Sequence, residues 1–433
     1  MHNRHSLIPS NETVSRRNFM TATASITTAA LTPRCTHGAD PAAIPQDALP
    51  TVSPSQSHHP LLTKAEDFRD VSRGNPKPYT LQGQDLIDAR LTKASWRLEI
   101  TADPSVDDVV TQPAAVARPL TFADGTALTY DALLELGKTH GVKYIKAMQC
   151  LNIPTPLGQG LWEGVPLRHV LQLCGAMQNV RRLVYWGFHN DDPEQMFRSS
   201  LSFTQAMETA PGELPPFLAY RLNGQPIPLV RGGPVRMIVP WAHGFKSIKW
   251  LRNIVLTNDF RANDTYALKN NDPESHLKTA AYVDPIPKRV TVGKPLIVSG
   301  LAISGLSGLE RVEAWLQRVQ PDDPPILDDP TTWNRAKWAP CQLDAPPRDW
   351  SGILPADVST KQLLGFDDVT GQPHSWPLRY GMLGWSIKFT NLVAGSYELR
   401  VRAVDLNGFA QPEPRPVLKS GKNAIEVQRF EVG

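Results

Sequence analysis

Short alternations of apolar and polar residues run through the middle of the chain and predict brief strands mixed with short helices. Thr129 can cap the N-terminus of a helix that runs to about Leu136, with Gly141 beyond its end. This mixture over residues 65–265 predicts one α+β domain. The expected strands of this domain lie at 96–100, 142–149, 180–187, 235–239 and 248–256.

The pattern changes from Lys288 onward. Short β-like runs at 291–299, 309–317, 385–389 and 397–404 are separated by Gly, Pro and Asn turns. This spacing predicts an antiparallel β-sandwich of the immunoglobulin type over residues 288–433. Residues 266–287 are polar and rich in breakers, which indicates a connector, and the Pro- and Asp-rich residues 321–357 indicate a long insertion between strands.

The N-terminal residues look like a targeting segment. Ser15-Arg16-Arg17-Asn18-Phe19-Met20 precedes a weakly apolar, uncharged stretch, which resembles a twin-arginine export signal over residues 1–39. We therefore expect an exported, periplasmic protein, carried in the folded state, as cofactor-bearing proteins often are. Residues 40–64, including His58 and His59, read as a solvated linker.

Composition and charge exclude several classes of protein. The chain has 433 residues with 45 Lys and Arg against 42 Asp and Glu, a net charge of +3. This balance and the lack of a basic run argue against a nucleic-acid partner. No apolar stretch is long enough for a transmembrane helix. The 40 prolines favour loops and short strands over a helical bundle.

The cysteines differ in their surroundings. Cys35 falls within the predicted signal, and Cys341 lies in a Pro-rich loop that suggests no role. Cys174 continues an apolar face with Leu167, Val170 and Leu171, which indicates a core residue. Cys150 ends a predicted strand and opens a loop rich in Gly and Pro, where catalytic groups often lie. The residues alone leave two readings of Cys150 open, a ligand or nucleophile and an ordinary buried thiol.

A set of linked motifs favours one of these two readings of Cys150. The segments Arg231-Gly-Gly-Pro-Val-Arg-Met-Ile-Val-Pro-Trp241 and Gly244-Phe-Lys-Ser-Ile-Lys-Trp-Leu251, with Cys150 and the downstream Leu161-Trp-Glu-Gly, resemble the sulfite oxidase family of molybdenum enzymes. The 397–405 segment is similar to that family's immunoglobulin-like dimerisation domain. The implied fold is a mixed α/β molybdopterin domain followed by this sandwich, with a possible homodimer through the sandwich.

The resemblance implies a role for each matching residue. Cys150 corresponds to the thiolate that binds molybdenum beside the two sulfurs of a single pyranopterin, a soft ligand for a sulfur-rich centre. Arg236 corresponds to the arginine that binds the cofactor phosphate. Ser247, Ile248 and Lys249 correspond to the pterin-binding tripeptide. Without the resemblance, Arg236 and Lys249 would read as ordinary strand charges.

Three positions depart from the family pattern. Arg231 replaces the usual His or Asn, and as a cation it could still contact the phosphate. Phe197 stands where sulfite oxidases carry a catalytic Tyr, and the Arg that follows their cysteine is missing after Cys150. Arg198 could restore some of the lost charge, with an exposed loop Arg as the alternative. A sulfite dianion needs charge-assisted donors, so we expect weak sulfite turnover.

The predicted function is a molybdopterin oxidoreductase that moves an oxygen atom to or from sulfur. Sulfite oxidation comes first, with a sulfoxide reductase or a non-catalytic scaffold as alternatives. The substrate would be a small sulfur compound. Because the sequence has no haem-attachment motif, electrons would pass to a separate partner such as a cytochrome.

Overall fold

The computed structural model describes residues 59–151, 153–269, 271–320, 323, 330–411 and 424–433. The predicted signal, Cys35 and residues 40–58 of the predicted linker lie outside the described residues. Within the described part the helices are short: α1 (Gly83–Asp88), α2 (Tyr130–His140), α3 (Leu167–Gln172), α4 (Phe203–Met207) and α5 (Pro330–Arg335). No helix of this part is long and apolar enough to cross a membrane.

Two five-stranded sheets and a small two-stranded one form the first half. The first sheet has the order β3-β1-β12-β7-β8, and the second has the order β10-β9-β5-β4 with β11 also paired to β9. The strands are β1 (Arg97–Ala102), β2 (Ala115–Val116), β3 (Leu128–Thr129), β4 (Val142–Met148), β5 (Gly158–Pro166), β6 (Met177–Gln178), β7 (Arg182–Gly187), β8 (Arg198–Ser202), β9 (Phe217–Leu222), β10 (Gln225–Pro226), β11 (Arg236–Ile238) and β12 (Leu251–Thr257).

Helix α2 forms where its cap predicts it. The Thr129 hydroxyl accepts a hydrogen bond from the Ala132 N–H at 3.1 Å, and Gly141 follows the helix. The predicted strands that include β1, β4, β7 and β11 are confirmed, although their ends shift by a few residues. The predicted strand at 248–256 starts too early, since residues 248–250 form a loop in which Trp250 has a φ of 53°.

Strand β5 was not predicted, because three glycines and Glu163 interrupt its pattern. It lies between β4 and β9, and nearly all of its residues are buried. A Cβ at Gly164 would lie 2.0 Å from the Leu218 carbonyl oxygen of β9. Glycine therefore permits the close approach of these two strands.

Two further sheets form the second half. Their orders are β13-β15-β19-β18 and β14-β21-β20-β16-β17, and buried residues of both make one core, as in a sandwich. Cys341 is buried in this core. The strands are β13 (Ala280–Val283), β14 (Arg289–Val290), β15 (Leu296–Ile303), β16 (Arg311–Val319), β17 (Ala339–Pro340), β18 (Gln342–Leu343), β19 (Met382–Phe389), β20 (Gly395–Val404) and β21 (Glu426–Val432).

Contacts cross the predicted domain boundaries. Strand β13 lies in the predicted connector and pairs with β15. One hydrophobic cluster joins Tyr144 and Phe217 to Tyr282 and Tyr380. The interpretation of His59 as a solvated linker residue is wrong, because its Nε2 lies 2.9 Å from an Asp284 carboxylate oxygen.

Candidate active site

Cys150 follows strand β4 and lies in the wall of a cavity of about 300 Å³. The side chain of Gln149 holds the turn that follows the strand, since its Nε2 donates to the carbonyls of Cys150 at 3.2 Å and Ile153 at 2.6 Å. Cys150 is half-buried and the described cysteines form no disulfide. Strand position and loop geometry thus place a thiol in the wall of this cavity.

The cavity is lined by residues from distant parts of the chain. It includes the thiol, a group of cations and a group of aromatic rings. The residues used below are Ser72, Arg73, Cys150, Phe197, Arg231, Arg236, Phe245, Ser247, Ile248, Lys249 and Tyr266. The structure therefore brings together seven of the eight site residues expected from sequence, the exception being Arg198.

Arg236 is the most deeply buried cation of the cavity. From β11 its Nη1 donates to the Arg231 carbonyl at 2.7 Å and its Nη2 to the Ser247 carbonyl at 2.6 Å. Its Nε has no hydrogen-bond partner. Burial, and then the charge of Arg231, lower the pKa of Arg236 to about 9. An unsatisfied buried guanidinium favours an anionic ligand.

Lys249 lies beside this arginine. Its Nζ donates to the Val230 carbonyl at 2.8 Å, to the Ser72 hydroxyl at 2.5 Å and to Asp70 at 3.2 Å. Burial and the charge of Arg236 lower the pKa of Lys249 to about 7, even though Asp70 opposes the shift. Burial works to raise the pKa of Asp70, but the Ser72 hydrogen bond and Lys249 hold it well below its usual range.

Arg231 completes the cation cluster, which we define as Arg231, Arg236 and Lys249. Its Nε donates to the Ala65 carbonyl at 2.7 Å. Gly232 follows with a φ of 97°, and a Cβ there would lie 2.5 Å from the Lys249 side chain. Glycine is thus required where the backbone of Arg231 turns against Lys249. The cluster has three cations and one nearby carboxylate, an excess of positive charge.

Ser247 and Ile248 lie between the cation cluster and the core. The Ser247 hydroxyl accepts from the Val239 N–H at 3.1 Å, while its carbonyl binds Arg236. Ile248 lines the cavity and packs on the hydrophobic core. These contacts fix the loop that leads into Lys249.

Phe197 and Arg198 have different surroundings. Phe197 lines the cavity, and its ring centroid lies 5.3 Å from that of Tyr266. Arg198 does not line it and starts β8, where its N–H donates to the Thr265 hydroxyl at 3.0 Å and its carbonyl accepts from the Thr265 N–H at 3.1 Å. The backbone of Arg198 thus anchors the segment that carries Tyr266.

Sequence reasoning missed Arg73 and Tyr266. Both line the cavity, and Arg73 Nη2 lies 3.4 Å from the Tyr266 hydroxyl oxygen. They are 193 positions apart, and neither belongs to the motifs that carry the resemblance. This pair of polar groups on an otherwise aromatic wall can therefore be found only in the folded structure.

Comparison with known proteins identifies this kind of site. Residues 121–265 match the family model described as an oxidoreductase molybdopterin-binding domain. These residues thus form the molybdopterin-binding domain of an oxidoreductase, as the resemblance in the sequence implied. Its cofactor is a molybdenum-molybdopterin.

Several relatives of this oxidoreductase are nitrate reductases. An inducible NADH nitrate reductase of Glycine max is 33% identical over 116 residues, which are 26% of this chain and 13% of the relative. An NADH nitrate reductase of Phaseolus vulgaris is 26% identical over 289 residues, or 58% of this chain and 28% of the relative. The chain thus spans less than a third of the length of these relatives.

A solved structure has a similar fold. The crystal structure of the sulfane dehydrogenase SoxCD from Paracoccus pantotrophus aligns with a TM-score of 0.53 and 17% identity. The alignment covers 90% of this chain and 91% of that one. The likeness therefore extends through both halves of the described fold.

The cavity of this oxidoreductase has the chemistry that a molybdopterin requires. A thiol is available to a soft metal, and the cation cluster with its unsatisfied Arg236 Nε suits a terminal phosphate. Among the described residues no three His, Cys, Asp or Glu side chains cluster as a metal site. Cys150 lines the cavity, and its thiolate could bind the metal beside cofactor sulfur.

Proposed function

We propose that this chain oxidises sulfite at a molybdenum-molybdopterin held in the cavity and passes the electrons to a separate acceptor. Cys150 is the thiolate ligand of the metal. Arg236, Arg231 and Lys249 bind the cofactor phosphate, and Ser247 and Ile248 lie along the pterin. When bound, the cofactor supplies two-electron oxygen-atom transfer, which no side chain can supply.

The observation that carries the proposal is that a thiol and a buried cation cluster line one cavity. Cys150 follows β4 and Arg236 lies on β11 of the same sheet, in which β5 and β9 lie between these two strands, and both side chains line the cavity. A ligand that spans them needs a soft metal at one end and an anion at the other.

The residues of the chain bind and orient the cofactor. Gln149 fixes the turn that presents Cys150, and Gly232 lets Arg231 and Lys249 lie together. Phe197, Phe245 and Tyr266 pack together and form an aromatic wall of the cavity. An apolar lining lowers the local dielectric constant, which strengthens the charge-assisted hydrogen bonds made beside it.

Sulfite is the substrate that we place first. Its oxidation takes an oxygen atom from water and yields sulfate, two protons and two electrons. SoxCD, whose fold is similar, is described as a sulfane dehydrogenase, which supports a reduced sulfur compound as the substrate. Sulfoxide reduction is the second candidate, favoured by the apolar surface of Phe197 and Phe245.

The compartment and the electron acceptor that we propose rest on the sequence alone. The proposed twin-arginine signal would export the folded protein to the periplasm, where a cytochrome could accept the electrons. The second half, an immunoglobulin-like domain in this proposal, would form the contact of a homodimer.

Steady-state assays on the molybdenum-loaded protein test the reaction. Sulfite with ferricyanide as acceptor should give turnover that saturates with sulfite, whereas methionine sulfoxide or nitrate with a reduced dye should give little. Sulfoxide or nitrate reduction without sulfite oxidation would contradict the proposal. No turnover in any assay by protein shown to contain molybdenum would favour the scaffold alternative.

A further inference from the structure

Strand β4 carries a lysine that is fully buried. The Lys146 Nζ donates to the Ala147 carbonyl at 2.8 Å and to the Ala242 carbonyl at 3.4 Å. Among the described residues no Asp or Glu forms an ion pair with Lys146, whereas the buried Lys246 lies 3.5 Å from Asp264. Two backbone carbonyls therefore solvate a charge that is costly to bury.

The side chain of Lys146 lies on the face of β4 that borders the cavity. Alternate residues of a strand point to the same face, and Met148, two positions on, lines the cavity. Across the sheet Lys146 pairs with Gly160 and Met148 with Gly158. The Phe68 ring, which also lines the cavity, lies 3.3 and 2.7 Å from where a Cβ of these two glycines would stand. Lys146 thus lies behind the cavity wall.

Two parts of that wall enclose the ammonium group. One is the end of β4, which leads to Cys150. The other is the loop after β11, whose Ala242 carbonyl accepts from Lys146 and whose Gly244 lines the cavity. The Gly244 N–H donates to the Gln149 carbonyl at 2.7 Å and joins this loop to the end of the strand. The ammonium group is therefore fixed behind the part of the wall that carries the thiol.

A second buried cation acts on the same region. The Arg236 guanidinium carbon lies 5.2 Å from the centroid of the Trp162 ring, and the Trp162 Nε1 donates to the Lys146 carbonyl at 3.4 Å. Burial, and then the charge of Arg236, lower the pKa of Lys146 to about 7. Negative charge in the cavity opposes both causes. The cofactor of the proposed function supplies such charge through its phosphate and its thiolates.

We infer that the ammonium group of Lys146 raises the reduction potential of the molybdenum that Cys150 binds. The inference rests on the proposed function, from which it takes the metal and its ligand, and deepens it by assigning a residue that tunes the metal without touching it. Reduction adds an electron to the metal and so increases the negative charge of the site. A fixed cation nearby stabilises that state, which favours electron transfer from sulfite to the metal.

The separation of the two groups allows a measurable effect. Four residues of extended chain span at most about 14 Å, which limits the distance between the Cα atoms of Lys146 and Cys150. At an effective dielectric constant of about 20, an elementary charge at that distance changes an equilibrium by roughly tenfold. For a one-electron step a tenfold change corresponds to about 59 mV.

Two variants of the molybdenum-loaded protein separate the charge from the hydrogen bonds. Lys146→Met keeps the side-chain length and removes both the charge and the donor. Lys146→Gln removes the charge but keeps an N–H group for the carbonyls. The matched control is Lys143→Met on the same strand, because the Lys143 side chain is 23% exposed and its Nζ lies 3.9 Å from a Glu163 carboxylate oxygen.

The measurement is a redox titration with dye mediators, followed by the EPR signal of Mo(V), at pH 6, where Lys146 is charged. Both Lys146 variants should lower the midpoint potential of the first one-electron step by about 59 mV, the equivalent of a tenfold change. Lys143→Met should stay near the parent. X-ray absorption should show the same sulfur neighbours in every protein, which ties the shift to charge rather than to a lost ligand.

The result separates this inference from the proposed function. Equal midpoint potentials in the parent and both Lys146 variants would overturn the inference while the proposed function stands. A shift in Lys146→Met that Lys146→Gln restores would also overturn it, because the hydrogen bonds would then be the cause. So would loss of molybdenum from both variants but not from Lys143→Met, since Lys146 would then hold the site together. A parent whose potential depends on Lys146 but that oxidises no sulfite would refute the proposed function alone.

Discussion

The described cysteines have three different environments. Cys150 is half-buried at the cavity. Cys174 packs in the core of the first half, and burial raises its pKa to about 11. Cys341 lies in the core of the second half, where burial raises its pKa further still. Metal binding requires the thiolate, so only Cys150 among them suits a ligand role.

Single replacements of Cys150 and Cys174 should distinguish a thiol that binds the metal from a thiol that only packs in the core. Cys150→Ser should abolish turnover and leave the unfolding transition nearly unchanged, because a hydroxyl is a poor ligand for this metal. Cys174→Ser should keep activity but lose about 1–3 kcal/mol, the cost of a buried hydroxyl without a partner. Activity assays with urea denaturation check both, and a fully active Cys150→Ser would exclude the assignment.

Arg236 gives a second prediction at this scale. Arg236→Ala removes charge-assisted hydrogen bonds worth about 1.5–3 kcal/mol to the cofactor phosphate. The purified variant should therefore lose pyranopterin faster on dilution than the parent does. Fluorescence of the released pterin measures the retained fraction, with Arg181→Ala as the control. Equal retention in Arg236→Ala and the parent would show that this arginine does not hold the cofactor.

The lowered pKa of Lys249 predicts how the free energy of unfolding of the cofactor-free protein depends on pH. Its pKa is about 7 in the fold, against an ordinary value of 10.5. Between these values the unfolded chain binds more protons, so the contribution of Lys249 to stability rises as the pH increases from 7 to 10.5. Lys249→Met should reduce this rise, measured as urea midpoints at pH 7 and 9.5. The exposed Lys294→Met should not reduce it, and the same slope in Lys249→Met and the parent would refute the argument.

At the scale of elements, the turn after β12 depends on one buried carboxylate. Asp264 lies 3.5 Å from the buried Lys246 Nζ and accepts from Ser200 at 3.2 Å as well as from the backbone of the turn. Burial lowers the pKa of Lys246 even though Asp264 opposes this. The pair thus joins the turn that carries Tyr266 to β8.

Removal of that carboxylate should be costly. Asp264→Ala leaves Lys246 buried without its counter-ion, which typically costs about 3–5 kcal/mol. Urea denaturation of Asp264→Ala should show this loss, whereas Asp108→Ala at an exposed site should stay within about 0.5 kcal/mol of the parent. A loss below about 1 kcal/mol in Asp264→Ala would mean that the turn does not rest on this pair.

Elements with a clear period or cap could be predicted, and those set by packing could not. The Thr129 cap and the alternation in β4, β7 and β20 are local signals, and each strand or helix forms there. Strand β5 has an irregular pattern because both of its faces are covered. Strand β13 was hidden because polar residues flank it, and its pairing with β15 and its packing in two hydrophobic clusters depend on the fold.

At the scale of the whole molecule, the cavity joins segments that local patterns cannot connect. The cation cluster and Cys150 could be found because they occur in motifs of a known family. Arg73 and Tyr266 could not, since their contact depends on how the loop after Asp70 and the turn after β12 come together. Arg198 was chosen from sequence for its charge, but only its backbone supports the site.

The central claim is that Cys150 binds the metal of a molybdopterin in this cavity. X-ray absorption at the molybdenum edge, measured on the parent and on Cys150→Ser loaded in the same host, tests it most directly. The account predicts one sulfur neighbour fewer in the variant, with the pterin sulfurs retained. The same number of sulfur neighbours in both proteins would contradict it.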